Sequence, residues 1–540
     1  MIVPFVLFIF AVVVCVVYEF RGIPMMAPDI LTVQTATSVM GNYTFKLTFE
    51  QYSVILVCMA FFFTFLRLHE VKVTEKRVFH IAGFIVVALG CGLFTNQIIL
   101  SDFMDEHQIN IRMFRPMESY QKYGGVLTFA RSVGYAVVKK PEGYTTAKVD
   151  QIIQEYEKKS ANEQQSTAKQ YPNIITVVNE TFADIKVLGD FKTNEDYMPY
   201  FHSLKKNCVT GYTYASIVGG QTANTEFELL TGNTLGFLSA GTTAFQLYIH
   251  GQMPSLVSNL KAEGYSGNKA MHPFNPYNYN RPAVYKDFGF TDFIDKFDFP
   301  KNVKRVREYI SDEANVDRII SEYEKNRKKT DQPFYMYNMT IQNHSPYDKD
   351  AANFKQPIKI ESSKYDAEAN RYLNLIKYSD DSLKQLTSYF EKCKEPTIIL
   401  FLGDHQPRLT DEFMNKITNG QYQTWSSEQM MKRYQVPFVI WANYDIKEQH
   451  IEKTSMNYIQ SILTKTAGVK MTGYQRFLNE VRKEVPTITS QGYWGKNGKF
   501  YQINDKGSPY YGIIQKYRMI QYNMMFDKKN RRDSFFEVSK

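Results

Sequence analysis

Thr397-Ile398-Ile399-Leu400-Phe401-Leu402-Gly403-Asp404-His405 is the stretch on which the reading of this fold turns. The run of mostly β-branched or large apolar residues reads as a strand buried on both faces, and Gly403 ends it before two side chains of metal-ligand type. A carboxylate and an imidazole thus leave the carboxyl end of a strand together. In open α/β sheets that edge is where ligands bind, and adjacent Asp and His can reach one cation when the backbone turns between them. A loop whose Asp caps a following helix would use the same dipeptide.

Past Pro172 further stretches repeat the pattern. Ile174 to Val178, Phe334 to Met339 and Phe438 to Trp441 read as buried strands, and amphipathic stretches such as Val303 to Arg327 and Ala367 to Phe390 read as helices between them. Strands alternating with helices imply an α/β fold with a mostly parallel central sheet and helices on both faces. The Tyr- and Phe-rich end after about residue 445 is expected to pack on this domain, because 15% of the chain is aromatic and such rings seek buried area.

With 540 residues, 44% hydrophobic and 22% charged, the chain has enough apolar material for a large core and more than one structural unit. The net charge of +9 is spread along the chain and interleaved with Asp and Glu. That distribution argues against a nucleic-acid partner and suits anionic lipid headgroups better. Five cysteines, three of them inside apolar segments, give no metal spacing and no disulfide framework. Whether Cys208 and Cys393 pair is left open by the sequence.

Residues 2 to 18, 52 to 66 and 81 to 100 carry no charge. They predict three transmembrane helices and a membrane domain over residues 1–100. The first lacks the basic start and small-residue cleavage site of a signal peptide. The intervening loop carries Arg67, Lys72, Lys76 and Arg77 against Glu70 and Glu75, so the positive-inside rule places it in the cytoplasm and everything after about residue 101 outside. Residues 101–170, polar and ending in SANEQQSTAKQ, read as a stalk or linker helix ahead of a globular domain over residues 171–540.

Other strand ends supply more chemistry. Asn173 to Asn179 is an apolar strand followed by Glu180, and two parallel strands deliver their carboxyl ends to one edge, so Glu180 and Asp404 can meet there. Alternatively Glu180 opens a helix as a favourable N-terminal charge. Gly219-Gly220-Gln221-Thr222 leads into a helix through Glu226-Phe227-Glu228, placing a hydroxyl and free backbone N–H groups where an anionic phosphate or sulfate would sit. The same turn also suits a plain Thr N-cap. Asn343-His344 ends another strand, and His272-Pro273-Phe274-Asn275-Pro276-Tyr277-Asn278-Tyr279-Asn280-Arg281 is dense in groups that bind a headgroup and its phosphate.

This ordered set resembles the lipoteichoic acid synthase family of membrane-anchored phosphoglycerol transferases, within the sulfatase-like, alkaline-phosphatase-type α/β superfamily. The likeness covers roughly residues 170 to 480. It implies an extracytoplasmic sulfatase-like α/β/α domain, with Thr222 as nucleophile and Glu180, Thr222, Asp404 and His405 as ligands of one divalent cation. Manganese is usual in the family; magnesium or zinc would suit the same donors. His344, Arg281 and, less closely, His272 match positions that contact headgroup or phosphate. The family's frequent Trp is Tyr279 here. The implied reaction moves glycerol phosphate from phosphatidylglycerol to an extracellular glycolipid or polymer. A phosphoethanolamine transferase, a sulfatase-type hydrolase and a non-catalytic polymer-binding protein are the competing readings. A sulfatase would need Cys or Ser in a C/S-x-P-x-R turn where this chain has Thr222-Ala223-Asn224.

Overall fold

The computed structural model describes residues 2–21, 24–27, scattered positions between 52 and 64, 77–100, 103–107, 109, 116–136, 138–160, 170–239, 242–361, 367–420 and 422–538. The chain divides into two compact units, residues 1–139 with 239–247, and residues 140–238 with 248–540. In the first unit, the first and third apolar segments form the helices Ile2–Arg21 and Arg77–Phe94, the latter continued by a π-helical turn Thr95–Leu100. Among the described residues one stretch, Ala82–Ile99, is long and apolar enough to cross a membrane. The second expected span falls largely outside the described residues, and the basic loop before Arg77 wholly so, as do residues 161–169 of the polar run.

The larger unit is built on an eight-stranded sheet of β1 (Asn173–Asn179), β2 (Cys208–Tyr214), β3 (Ser266–Met271), β4 (Asp292–Ile294), β7 (Phe334–Met339), β8 (Thr397–Gly403), β9 (Gln435–Ala442) and β10 (Gln449–Ser455). The strand order is β10-β2-β9-β8-β1-β7-β3-β4. All neighbours are parallel except around β9, which runs antiparallel to both β8 and β2. The opening stretch forms β8, every residue of it buried.

Alternation along β7 shows how both faces are covered. Met336 joins the apolar core that Ile319 and Tyr323 of the helix Asp312–Arg327 and Leu383 and Leu386 of the helix Ala367–Phe390 build on one face. Tyr335 and Tyr337 point the other way, toward Phe290 and Tyr285. Successive strand residues face opposite sides, so a strand covered on both must be apolar throughout.

The helix expected from Val303 begins instead at Asp312, where Ser311 accepts from the Ala314 N–H as N-cap. Before it, β5 (Arg305–Val306) and β6 (Tyr309–Ile310) form a small hairpin turning through Arg307 at φ 54°. The helix Thr146–Ser160 packs within the larger unit, burying Val149, Ile152 and Tyr156 and setting Tyr156 edge-on to Phe477, centroids 4.7 Å apart. The aromatic C-terminal region also packs in: Tyr517 of the helix Tyr511–Met525 donates to the Gly232 carbonyl. Cys208 and Cys393 are both free thiols; each donates to a nearby backbone carbonyl, of Lys206 and Tyr389 respectively.

Candidate active site

Sheet register alone puts two carboxylates side by side. Asn179 of β1 pairs with Gly403 of β8, so the next residues, Glu180 and Asp404, leave the sheet at the same level. Neither caps a helix: the chain turns after Glu180 through Thr181 at φ 56°, and the helix Asp411–Ile417 is capped by Thr410. One Asp404 oxygen, Oδ1, accepts from the backbone N–H groups of Thr181 (2.7 Å) and His405 (2.8 Å). Glu180 is fixed by its N–H donating to Thr340 Oγ1 (3.0 Å) and by Thr181 Oγ1 donating to its Oε1 (3.0 Å).

His405 Nδ1 lies 3.0 Å from the Gln406 carbonyl, a bond that puts the proton on Nδ1 and leaves the Nε2 lone pair directed into the site. Nε2 stands 3.2 Å from Asp404 Oδ2 and 3.8 Å from Glu180 Oε1. The ligand atoms of Glu180, Asp404 and His405 all lie within 4.8 Å of one another. Asp404 Oδ2 and His405 Nε2 are buried without a hydrogen-bond partner. Buried polar atoms left so in a native fold call for an ion or water. Burial, then the neighbouring Asp404 charge, push the Glu180 carboxyl well above its ordinary range. A divalent cation would reverse that, and two carboxylates with one imidazole suit it.

Thr222 completes the group. It is the first residue of the helix Thr222–Thr231, and the N-cap position belongs to Gln221, in the left-handed region at φ 65° with no capping side-chain bond. The hydroxyl is therefore not spent on capping. It donates to Glu180 Oε2 across 3.3 Å, and Thr222 is 6% exposed. Gly219, at φ 68°, lets the turn pass over the neighbouring loop, its N–H donating to the Gln406 carbonyl (3.0 Å). A Cβ there would meet Arg408 Cβ at 3.1 Å. Thr225 Oγ1 donates to the Asp404 carbonyl (2.8 Å), a second tie between helix and loop.

These residues floor an open cleft of about 560 Å³ also lined by His272, Tyr279, Arg281 and His344. Arg281 is almost fully buried, its Nε and Nη2 donating to Glu226 Oε1 at 3.0 and 2.7 Å, with the Tyr279 ring 5.1 Å from the guanidinium. His272 Nδ1 bonds to the Met339 carbonyl (3.0 Å), and burial holds its pKa well below the usual value. His344, also lowered by burial, bonds through Nδ1 to the Ser345 carbonyl (2.7 Å). Seven of the eight residues singled out in the sequence line this cleft, and the eighth, Asp404, lies buried against them in the cluster with Glu180 and His405.

Sequence reasoning gave no role to Glu226, which accepts from Arg281 and from Tyr285 and Tyr337. It also missed Arg307, whose guanidinium donates to the carbonyls of Gln342, His344 and Pro346. The positive φ that Arg307 adopts had no signal in the sequence. Beneath the cleft, Asp312 Oδ2 accepts from Asn179 (2.8 Å) and Ser379 (2.6 Å), and Asn343 Nδ2 donates to Asn179 and Ser379. The residues just before Glu180 and His344 are thereby held together.

Fold and site define an α/β protein whose candidate metal cluster faces a hydroxyl at a helix N-terminus. Residues 172–469 match the model of the sulfatase family, and the chain belongs to that family. Among known proteins it is 30% identical over 433 residues to the "Putative cyclic beta-1,2-glucan modification protein" of Rhizobium meliloti (strain 1021), covering 79% of this chain and 65% of that one. It is 24% identical over 374 residues to the lipoteichoic acid synthase of Staphylococcus saprophyticus, covering 66% of this chain and 55% of the relative. The chain thus spans somewhat less than two thirds of the length of each. Among solved structures, the Streptococcus pyogenes phosphoglycerol transferase GacH in complex with sn-glycerol-1-phosphate superposes with a TM-score of 0.60 at 20% identity, over 74% of this chain and 100% of that one.

Proposed function

We propose that this chain is a membrane-anchored phosphoglycerol transferase that takes glycerol phosphate from phosphatidylglycerol and passes it to a hydroxyl of an extracytoplasmic polymer or glycolipid. The observation that carries this is the approach of the Thr222 hydroxyl to a buried Glu180–Asp404–His405 cluster holding two unpartnered ligand atoms. Glu180, Thr222, Asp404 and His405 would hold the cation, manganese in the family the sequence resembles. When bound, such an ion lowers the pKa of a hydroxyl it contacts and offsets charge on phosphoryl oxygens.

Thr222 Oγ attacks the phosphorus, the bond from phosphorus to the diacylglycerol oxygen breaks, and diacylglycerol leaves with the proton from Thr222. The acceptor hydroxyl then attacks the same phosphorus, the bond to Thr222 Oγ breaks, and the acceptor proton returns to the threonine. Arg281 offers charge to the phosphate, and the neutral His272 and His344 offer uncharged contacts to the headgroup. Names of relatives that modify a glucan or make lipoteichoic acid support a polymer acceptor.

The test is diacylglycerol release from phosphatidylglycerol by the full chain in detergent, with manganese, magnesium or zinc added after chelation. Thr222→Ala should abolish release and the glycerol-phosphate adduct seen by intact-protein mass spectrometry. Its stability should change by at most about 1 kcal/mol, since the lost hydroxyl caps nothing. Turnover by the variant, or none by the wild type with any of the three ions, would sink the proposal. A phosphoethanolamine transferase would instead release diacylglycerol from phosphatidylethanolamine in the same assay.

A further inference from the structure

Among the described residues of the larger unit, the large apolar side chains left exposed are Tyr277 (48%) and Phe297 (74%). Single exposed rings are ordinary, but these two lie beside the cleft. Tyr277 precedes the cleft-lining Asn278 and Tyr279. Phe297 belongs to the short turn Lys296–Asp298, whose Lys296 N–H donates to the carbonyl of cleft-lining Phe274 (3.4 Å).

From the reacting centre outward the wall is aromatic. The Phe274 ring stacks on His344, centroids 6.2 Å apart and planes 23° apart, with Tyr309 at 6.0 Å from Phe274 and 5.7 Å from His344. Lys296 Nζ then lies 5.9 Å from the Phe274 centroid and 5.0 Å from that of Phe297. The turn is braced. Asp295 Oδ1 accepts from the Phe297 N–H (2.7 Å), Asp298 Oδ2 accepts from the Asp295 N–H (2.9 Å), and Arg318 donates to the Asp298 carbonyl (2.8 Å). A ring held out to water on a fixed turn is preorganised for a flat partner.

We infer that the wall running from His344 through Phe274 to Phe297 is the subsite for the acceptor, and that its occupant is the sugar ring of a carbohydrate chain. This rests on the transferase reading above, in which a second substrate must reach Thr222 from the open side of the cleft. A pyranose presents a flat apolar C–H face to an aromatic ring and hydroxyls at its rim, to whose oxygens the Lys296 ammonium beside the rings can donate. Lipid fits the wall less well: around Phe297, Asp292, Asp295 and Asp298 stand against Lys296 and Lys301, so the segment holds no excess of positive charge to draw it to an anionic membrane surface.

The test uses the full chain in detergent and a β-1,2-linked gluco-oligosaccharide as probe, read by isothermal titration calorimetry. No turnover is needed, so failure of the transfer reaction and failure of this subsite are separate results. Phe297→Ala should weaken binding about tenfold while the melting temperature stays unchanged, since the ring is exposed. Phe297→Trp, which keeps a flat face, should retain affinity. Equal affinity of wild type and Phe297→Ala, or no binding by the wild type, overturns the inference. So does a membrane contact: in nanodiscs with brominated phosphatidylglycerol, the added fluorescence of Phe297→Trp should escape quenching, and quenching would assign the ring to lipid.

Discussion

Glu226 stands one helical turn after Thr222 and ties the cleft's buried arginine to the helix that carries the hydroxyl. Its Oε1 takes two N–H groups of Arg281, and its Oε2 takes the hydroxyls of Tyr285 and Tyr337. Both members of the ion pair are almost wholly buried. Removing one partner leaves the other charge without compensation in a dry site, at a cost of about 3–5 kcal/mol. Glu226→Gln should therefore destabilise the chain by several kcal/mol, far more than Thr222→Ala. The double variant Glu226→Gln, Arg281→Met should recover part of that loss in chemical denaturation, because the orphaned charge is gone. Additive losses would mean that the two side chains do not act as a pair.

At the scale of elements, what was legible followed from periodicity and what was not followed from context. The helix Ala367–Phe390 has the bounds expected of it, because a long 3.6-residue pattern is a strong signal. The strands β1, β7 and β8 were visible because strands buried on both faces must be continuously apolar. By contrast β3 (SGNKAM) and β10 (QHIEKTS) are polar. They exist because neighbours pair with them, and both carry a register shift. The helix expected from Val303 began late because Val303, Val306 and Ile310 mimic helical spacing, whereas Ser311 before Asp312 and Glu313 was the true start signal. In the sequence Gly403 marks only the end of a strand. In the fold a Cβ there would come 1.8 Å from the Phe182 carbonyl oxygen, so glycine also permits the close approach that seats Asp404. The four candidate metal ligands were legible because each follows a strand or opens a helix. The Glu226–Arg281 pair joins two helices, Thr222–Thr231 and Arg281–Phe288, from residues 55 positions apart in sequence, and nothing local announces it.

The helix Thr222–Thr231 also carries a titration test. Glu228 is buried; its Oε1 accepts from Ser216 Oγ (2.7 Å), Thr234 Oγ1 (3.3 Å) and the Leu235 N–H (2.9 Å), while Oε2 has no hydrogen-bond partner. Burial outweighs these bonds and pushes its pKa up to about 7. The folded state then holds this proton more tightly than the unfolded chain does. Its contribution to stability is complete below the unfolded carboxyl pKa of about 4.3 and is lost as pH rises through about 7. Between about pH 5 and about pH 8 the melting temperature of the wild type should fall more than that of Glu228→Gln, which mimics the neutral form. Parallel curves would show that Glu228 is ionised in the fold throughout.

For the whole molecule, the proposed reaction depends on which side of a membrane the cleft faces. Ala82–Ile99 covers 18 residues; at about 1.5 Å per residue it is about 27 Å long, near the ~30 Å hydrocarbon core of a bilayer. Phe84, Val86, Val87 and Leu89 on it are exposed, as lipid-facing side chains would be. Arg67, Lys72, Lys76 and Arg77 against Glu70 and Glu75 before this helix argue that its start is cytoplasmic. On the proposed topology it would then run outward and the larger unit would lie outside, where a lipid phosphodiester would serve as donor. With the five native cysteines replaced by alanine, Lys72→Cys should resist a membrane-impermeant maleimide on intact cells until they are permeabilised. Lys158→Cys, on the exposed side of the helix Thr146–Ser160, should react at once. Labelling of both would mean that the basic loop is outside and that the apolar helices do not cross in the proposed order. Labelling of Lys72→Cys alone would put the cleft in the cytoplasm, away from any extracellular polymer, and the transferase proposal would fall with it.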